Sequence, residues 1–298
     1  MYRRLFFPFL KKFFKPNRNN NNSCIYCGSK NKILTDETIV PDFDIKILPE
    51  DIKQKFINKD NGVCMNCGVH QSFNLLNLKE QKIINKIGKD LMTSDTNYVL
   101  DQPDKNFIRD FDQRHFSKRV IKWKKYLQPK KLKINRALVI RFWFGKTFDF
   151  LEENFSVNDI YGMEMSEMCK RYCSKLKPNV EILENDINGY IDTKNIKNIK
   201  FDAIFVFHII NHSININDTL LKLKQILNKG GFIIFSNEIE KKPHNPFHNI
   251  HLSEYQLIMF LKKFFRQIDR IDRCEEQFYG HVNPYTKKND IPDLVAWN

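Results

Sequence analysis

The sequence predicts an α/β protein whose main part is a doubly wound, largely parallel sheet, preceded by a small cysteine-knuckle unit. Three observations predict it. From residue 135 onward, short apolar runs alternate with stretches whose apolar residues recur at helical spacing, as strands covered by helices on both faces require. Ahead of that region stand two Cys-x-x-Cys-Gly turns, Cys24, Cys27, Gly28 and Cys64, Cys67, Gly68. A basic stretch with one amphipathic helix lies between the two regions.

At 298 residues the chain is long enough for one small and one large domain. We read residues 1–22 as a basic, aromatic tail with an Asn-rich linker, 23–97 as the cysteine unit, 98–134 as a connecting basic helical region, and 135–298 as the large domain. A hydrophobic fraction of 42% is that of a soluble protein, and no apolar run approaches the ~20 residues of a membrane span. The tail has Pro8 and Lys11 inside its apolar run and no small-residue cleavage site, so a signal peptide is not expected. Its basic and aromatic residues leave a weak membrane-surface contact as the alternative to a disordered tail. Seven cysteines, four of them in Cys-x-x-Cys pairs, are not a secreted disulfide framework, and a cytoplasmic location is expected. The net charge of +14 is uneven: between Asp112 and Asp149 there is no acid, while twelve basic residues run from Arg114 to Lys146. Such a face attracts anionic partners, nucleic acid included, or is a solvated lysine surface; no nucleic-acid motif accompanies it.

In chain order, a helix over residues 112–127 places Phe116, Val120, Trp123 and Leu127 on one face and lysines on the other, and Gln128-Pro129 ends it. Strands are expected at 137–140, 159–162, 180–183, 201–207 and 232–236. Between them, one helix carries Met168, Cys169, Tyr172, Cys173 and Leu176 on a single face. Another, over 218–228, turns Leu220, Leu223, Ile226 and Leu227 inward and stops at Gly230-Gly231. A last helix over 253–264 leads to strands at 267–271 and 293–297. Cys169 and Cys173, one turn apart on an apolar face, read as buried core thiols.

Each Cys-x-x-Cys turn puts two thiolates on one side, and the following glycine permits the left-handed backbone that aims amides at sulfur. Two such turns supply four soft ligands in a tetrahedron. Cys24, Cys27, Cys64 and Cys67 are therefore expected to hold one zinc ion, structural because no coordination position stays open. His70 lies nearby but is surplus to the set.

Residues 136–239 carry a resemblance. The segment from Phe201-Asp202 through His208, His212, Gly230, Gly231 and Asn237 resembles the class I S-adenosylmethionine-dependent methyltransferases. The nearest subgroup has a four-cysteine N-terminal zinc domain and methylates sugars and other small molecules. The resemblance implies a methyltransferase-like, Rossmann-type sheet that binds S-adenosylmethionine. It implies that Glu164, after Tyr161-Gly162-Met163, accepts the ribose hydroxyls and that Asp186 lies near the adenine. It places His208 and Gly145 by the cofactor, and His212 by the acceptor as general base. Read from the residues alone, Glu164 is a helix-entry acid, Asp186 a turn-capping Asp, and His212 a hydrogen-bonding residue within its turn. His244, His248 and His251 read as a solvated polar loop. The chain departs from the family at the first strand: Val139 replaces its acid, Arg141 and Trp143 replace two glycines, and only Gly145 remains. Bulky side chains there are expected to obstruct the cofactor unless the loop is rebuilt. The functional expectation is methyl transfer to a small acceptor, a sugar or other anionic metabolite. The alternative is an inactive methyltransferase-like protein that binds a partner or nucleic acid through its zinc unit and basic face.

Overall fold

The computed structural model describes residues 23–34, 50–51, 54, 61–72, 105–164, 166–183, 199–213, 215–236, 248–271 and 293–298. Asp186, Asn237 and His244 lie outside the described residues. The small sheet opens with β1 (Lys32–Leu34), β2 (Asn61–Cys64) and β3 (His70–Ser72). Two helices follow, α1 (Lys105–His115) and α2 (Ser117–Leu127). The large sheet and its helices are β4 (Arg136–Ile140), α3 (Lys146–Phe155), β5 (Asp159–Met163), α4 (Glu167–Leu176), β6 (Val180–Leu183), β7 (Phe201–Phe207), α5 (Ile216–Ile226) and β8 (Leu227–Ser236). The chain then runs through β9 (Ile250–His251), α6 (Glu254–Lys262), β10 (Gln267–Ile271) and β11 (Asp293–Trp297).

The seven-stranded sheet has the order β10-β11-β8-β7-β4-β5-β6, with β11 antiparallel to both neighbours and the other pairs parallel. Chain order runs outward from β4 through β5 and β6 on one side and through β7 and β8 on the other, so β4 and β7 flank the switch point where such sheets open a crevice beyond their carboxyl ends. Successive side chains alternate between two cores. Ala137, Val139, Phe205 and Phe207 face α2, α3 and α4, whereas Leu138, Ile140, Ile204 and Val206 face α5 and α6. Among the described residues no helix is long and apolar enough to cross a membrane.

Three expectations are corrected. The 112–127 helix is two helices broken at the fully buried Phe116. Its inward face carries Arg119 as well as Trp123: Trp123 Nε1 donates to Asp293 Oδ2 at 2.8 Å, and Arg119 Nε lies 3.8 Å from the same oxygen. A buried carboxylate on β11 thus explains a cation where periodicity placed only apolar groups. Gly230-Gly231 does not stop a helix. α5 ends at Ile226, and a Cβ on Gly231 would stand 2.8 Å from the Asp202 carbonyl, so glycine lets β8 hug β7 across a register shift. Leu176, assigned to the inner face of α4, is exposed.

The cysteine unit is welded to the large sheet. β9, contributed by the region after β8, pairs antiparallel with β3 and completes a sheet of order β1-β2-β3-β9. Asn217 Nδ2 donates to Ile25 O, Gln256 Nε2 to Gly68 O and Lys263 Nζ to Tyr26 O, while Tyr26 meets Phe260 edge-on at 4.6 Å.

Gly162 in β5 is the tightest spot beside the switch point: a Cβ there would lie 2.7 Å from the Phe142 ring and 2.9 Å from that of Phe148. We expect Gly162→Ala to destabilise the protein by ~1–3 kcal/mol in urea unfolding. A change inside ~0.5 kcal/mol would show that the two rings step aside freely.

Candidate functional site

The crevice is built by the residues that leave β4 and β7. After β4 the chain must turn from strand to helix within five residues, and it does so through three left-handed positions: Arg141 (φ 63°), Trp143 (φ 48°) and Gly145 (φ 85°). His208, after β7, is a fourth (φ 48°). A non-glycine residue held there costs ~1–3 kcal/mol and persists only where its surroundings over-determine it. They do so here. Arg141 N–H donates to Met163 O at 2.6 Å, Trp143 N–H to Glu164 Oε2 at 3.0 Å, Gly145 N–H to Phe142 O at 2.9 Å, and His208 N–H to Ser236 O at 2.9 Å.

The loop backbone is left-handed at 141, 143 and 145, every second position, and two of these carry large side chains. Trp143 lies over the end of β7, with its ring 5.4 Å from Phe207, 5.6 Å from His208 and 5.6 Å from Phe116. Arg141 reaches across the strand ends: its Nη1 donates to His208 O at 3.0 Å and lies 3.5 Å from His212 Nε2. Phe142 points down against Phe148 and Gly162. Gly145 caps α3, and a Cβ on it would meet Phe148 and Cys173 Sγ at 3.0 and 3.2 Å, so its missing side chain serves the packing of α3 on α4.

Glu164 stands at the end of β5, only 3% exposed. Its Oε2 accepts from Trp143 N–H and its Oε1 from Ser166 N–H at 3.1 Å, while Ser166 itself caps α4 through Cys169 N–H.

His212 closes the short 3-10 turn Ile210–His212. Its ring packs perpendicular to that of His248 at 4.7 Å; His248 neighbours His251 at 6.2 Å, and His251 neighbours His70 at 5.7 Å. The expected solvated loop is corrected, since His248 and His251 are each 1% exposed. Asn249, unnoticed in the sequence, joins the parts: its N–H donates to Asn211 O at 2.7 Å, its Nδ2 to His212 O at 2.9 Å, and its carbonyl accepts from Ser72 N–H at 3.0 Å. A two-residue strand leaves no periodic signal that could have singled it out.

The structure brings the four expected cysteines together. Cys24 and Cys67 Sγ lie 3.5 Å apart, as do Cys27 and Cys64 Sγ, and all four sulfurs fall within 4.8 Å of one another. Gly28 (φ 73°) and Gly68 (φ 71°) give each knuckle its left-handed turn. As thiols they oppose one another. Burial pushes Cys67 up to about 11 and Cys24 higher still. Burial also pushes on Cys27, but hydrogen bonds from Asn66, Ser29 and the neighbouring thiols win and bring it down to about 7. Four thiols this close together could hold a metal ion. Lys263 sits beside them, Nζ 3.5 Å over the Tyr26 ring, with burial pulling its pKa down and the cysteines pulling it up.

Residues 144–235 match a family model described as a methyltransferase domain, so the match begins just past Trp143 and ends within β8. No curated protein matches the sequence. Among solved structures, the plantazolicin methyltransferase BpumL, in complex with a triazolic desmethylPZN analog and SAH, is 14% identical over 74% of this chain and 96% of that one, with a TM-score of 0.48. DesVI of Streptomyces venezuelae is 10% identical over 65% and 98%, at 0.46. The CurJ carbon methyltransferase is 14% identical over 56% of this chain, at 0.44, and this chain spans half of its length. The sheet order and the matched segment together give the large domain a methyltransferase-like, Rossmann-type fold, with a four-cysteine cluster ahead of it.

Proposed function

We propose that this protein transfers a methyl group from S-adenosylmethionine to a small-molecule acceptor, and that Cys24, Cys27, Cys64 and Cys67 hold one structural zinc ion. The observation that carries the first part is the Glu164 carboxylate. It is buried at the end of β5, beside a loop that keeps left-handed residues at 141, 143 and 145 at the switch point of the sheet. The chain's residues fit the cofactor there. Glu164 is a buried carboxylate at the strand end where ribose hydroxyls would be accepted, and Trp143 packs on Phe116 and Phe207. The cofactor supplies an electrophilic methyl group, and the protein's part is alignment and proton transfer. Arg141 Nη1 beside His212 Nε2 requires Nε2 to be the acceptor, so the imidazole proton sits on Nδ1. The Nε2 lone pair that would take a proton from an acceptor hydroxyl is the one that accepts from Arg141, so His212 serves as base only once that contact is given up. Asp186 keeps the adenine role that the resemblance implies.

For zinc, the donor chemistry decides. Sulfurs ~2.3 Å from a tetrahedral ion stand about 3.8 Å apart, close to the separations found, and the Lys263 cation offsets the excess negative charge of four thiolates.

A second reading has its own observation. Both oxygens of Glu164 already hold main-chain N–H groups and Arg141 spans the crevice, as in a fold kept only as a scaffold. The zinc unit and the exposed lysines Lys118, Lys124 and Lys125 of α2 would then meet a partner or nucleic acid.

Calorimetric titration with S-adenosylmethionine and S-adenosylhomocysteine separates the readings. We expect saturable micromolar binding that weakens about tenfold or more in a folded Glu164→Gln variant. No binding by folded, zinc-loaded protein selects the scaffold reading. For the metal, mercurial titration of the thiols is expected to release about one zinc per chain. Cys64→Ser should lose the ion and lower the thermal midpoint, since β2 and β3 share a sheet with β9. A full-length protein that purifies without zinc and gains no stability from added zinc refutes the assignment.

A further inference from the structure

We propose that Arg141 is an anion-recognition residue of the crevice, which seats a ligand carboxylate on the guanidinium edge that its protein contacts leave open. The inference rests on the crevice being the ligand site of the methyltransferase reading. Among the described residues, the partners of this side chain are the His208 carbonyl, His212 Nε2 and the face of Trp143, 5.6 Å away, none of them an anion. Both polar contacts are made by Nη1. The Nε and Nη2 donors form the planar fork that matches a carboxylate in bidentate fashion.

Position supports the same assignment. Arg141 follows β4 directly and is half-buried at the strand ends, where the surrounding protein weakens solvent screening. Other cations of the fold are neutralised within it: Arg119 by Asp293, Arg136 by Asp159, Lys177 by Asp149 and Glu152. Arg141 also holds φ 63°, a conformation that glycine adopts without strain, so the chain bears a backbone cost to present this side chain here.

A carboxylate at this place has two sources, the methionine portion of the cofactor or the acceptor. Calorimetric titrations of zinc-loaded wild type and Arg141→Gly distinguish them, the glycine being compatible with the left-handed backbone. The probes are S-adenosylhomocysteine, 5′-methylthioadenosine, which lacks the amino-acid portion, and malonate. If the cofactor supplies the carboxylate, Arg141→Gly lowers affinity for S-adenosylhomocysteine relative to methylthioadenosine by about ten- to a hundredfold. If the acceptor supplies it, that ratio is unchanged and malonate binds wild type but not the variant. Equal ratios with equal malonate binding overturn the proposal. Failure of both nucleosides to bind wild type sinks the methyltransferase reading alone, and the malonate comparison still decides Arg141.

Discussion

The carboxylate of Glu164 is the contact on which the crevice depends. It lies between two loops, the one leaving β4 and the one entering α4, and gives one oxygen to a main-chain N–H of each. A charged acceptor makes stronger hydrogen bonds than a neutral one, and burial spares it competition from water. With Trp143 N–H fixed there, the chain between Ile140 and Lys146 has little freedom. Phe142 goes down into the core, Trp143 goes up onto β7, and Gly145 packs where a side chain would strike Phe148 and Cys173. The same residue that the resemblance assigns to a ribose thus also shapes the wall of the site. An effect of Glu164 substitution on ligand binding therefore has to be read alongside the state of the loop.

A second dependence ties the cysteine unit to the far side of the crevice. β3 starts three residues after Cys67 and pairs with β9, and Asn249 just before β9 binds both Asn211 and His212. The position of His212 is set from the cysteine side as much as from β7. Short antiparallel strands of this kind are marginal alone and gain their stability from what they pack on. Here they pack on α5 and α6 through Ile25, Tyr26, Val69 and Phe260. An ion that orders the two knuckles orders β2 and β3, and through them the turn that carries His212.

Two parallel strands of the large sheet were legible as apolar-rich runs, 180–183 and 201–207, which coincide with β6 and β7. The strands expected at 267–271 and 293–297 coincide with the antiparallel β10 and β11. The cysteine cluster was legible because two identical turns repeat the same chemistry. What failed to read had tertiary causes. Arg119 looked like one more surface cation because its partner Asp293 is far away in sequence. His248 and His251 looked solvated because polar residues between Asn and Pro resemble a loop; His251 is buried where β9 pairs with β3, and His248 packs against His212. Arg141 looked like an obstruction because a sequence shows the size of a side chain and not its direction.

That direction bears on what the altered glycine loop means. Among the described residues, five non-glycine residues hold positive φ: Lys131, Arg141, Trp143, Ser156 and His208. Lys131 and Ser156 sit at the ends of a 3-10 turn and a helix, where left-handed caps are ordinary. The other three converge on the carboxyl ends of β4 and β7. Loss of glycine from a left-handed turn relaxes either by a change of backbone or by acceptance of the strain. Here the backbone is held, by Glu164, Met163 and Ser236, in the shape that glycines would take, and the strain lies around one crevice rather than being scattered over the surface. Strain of that kind is a property of sites, where a precise side-chain placement offsets its cost. The side chains so placed are a guanidinium and two rings.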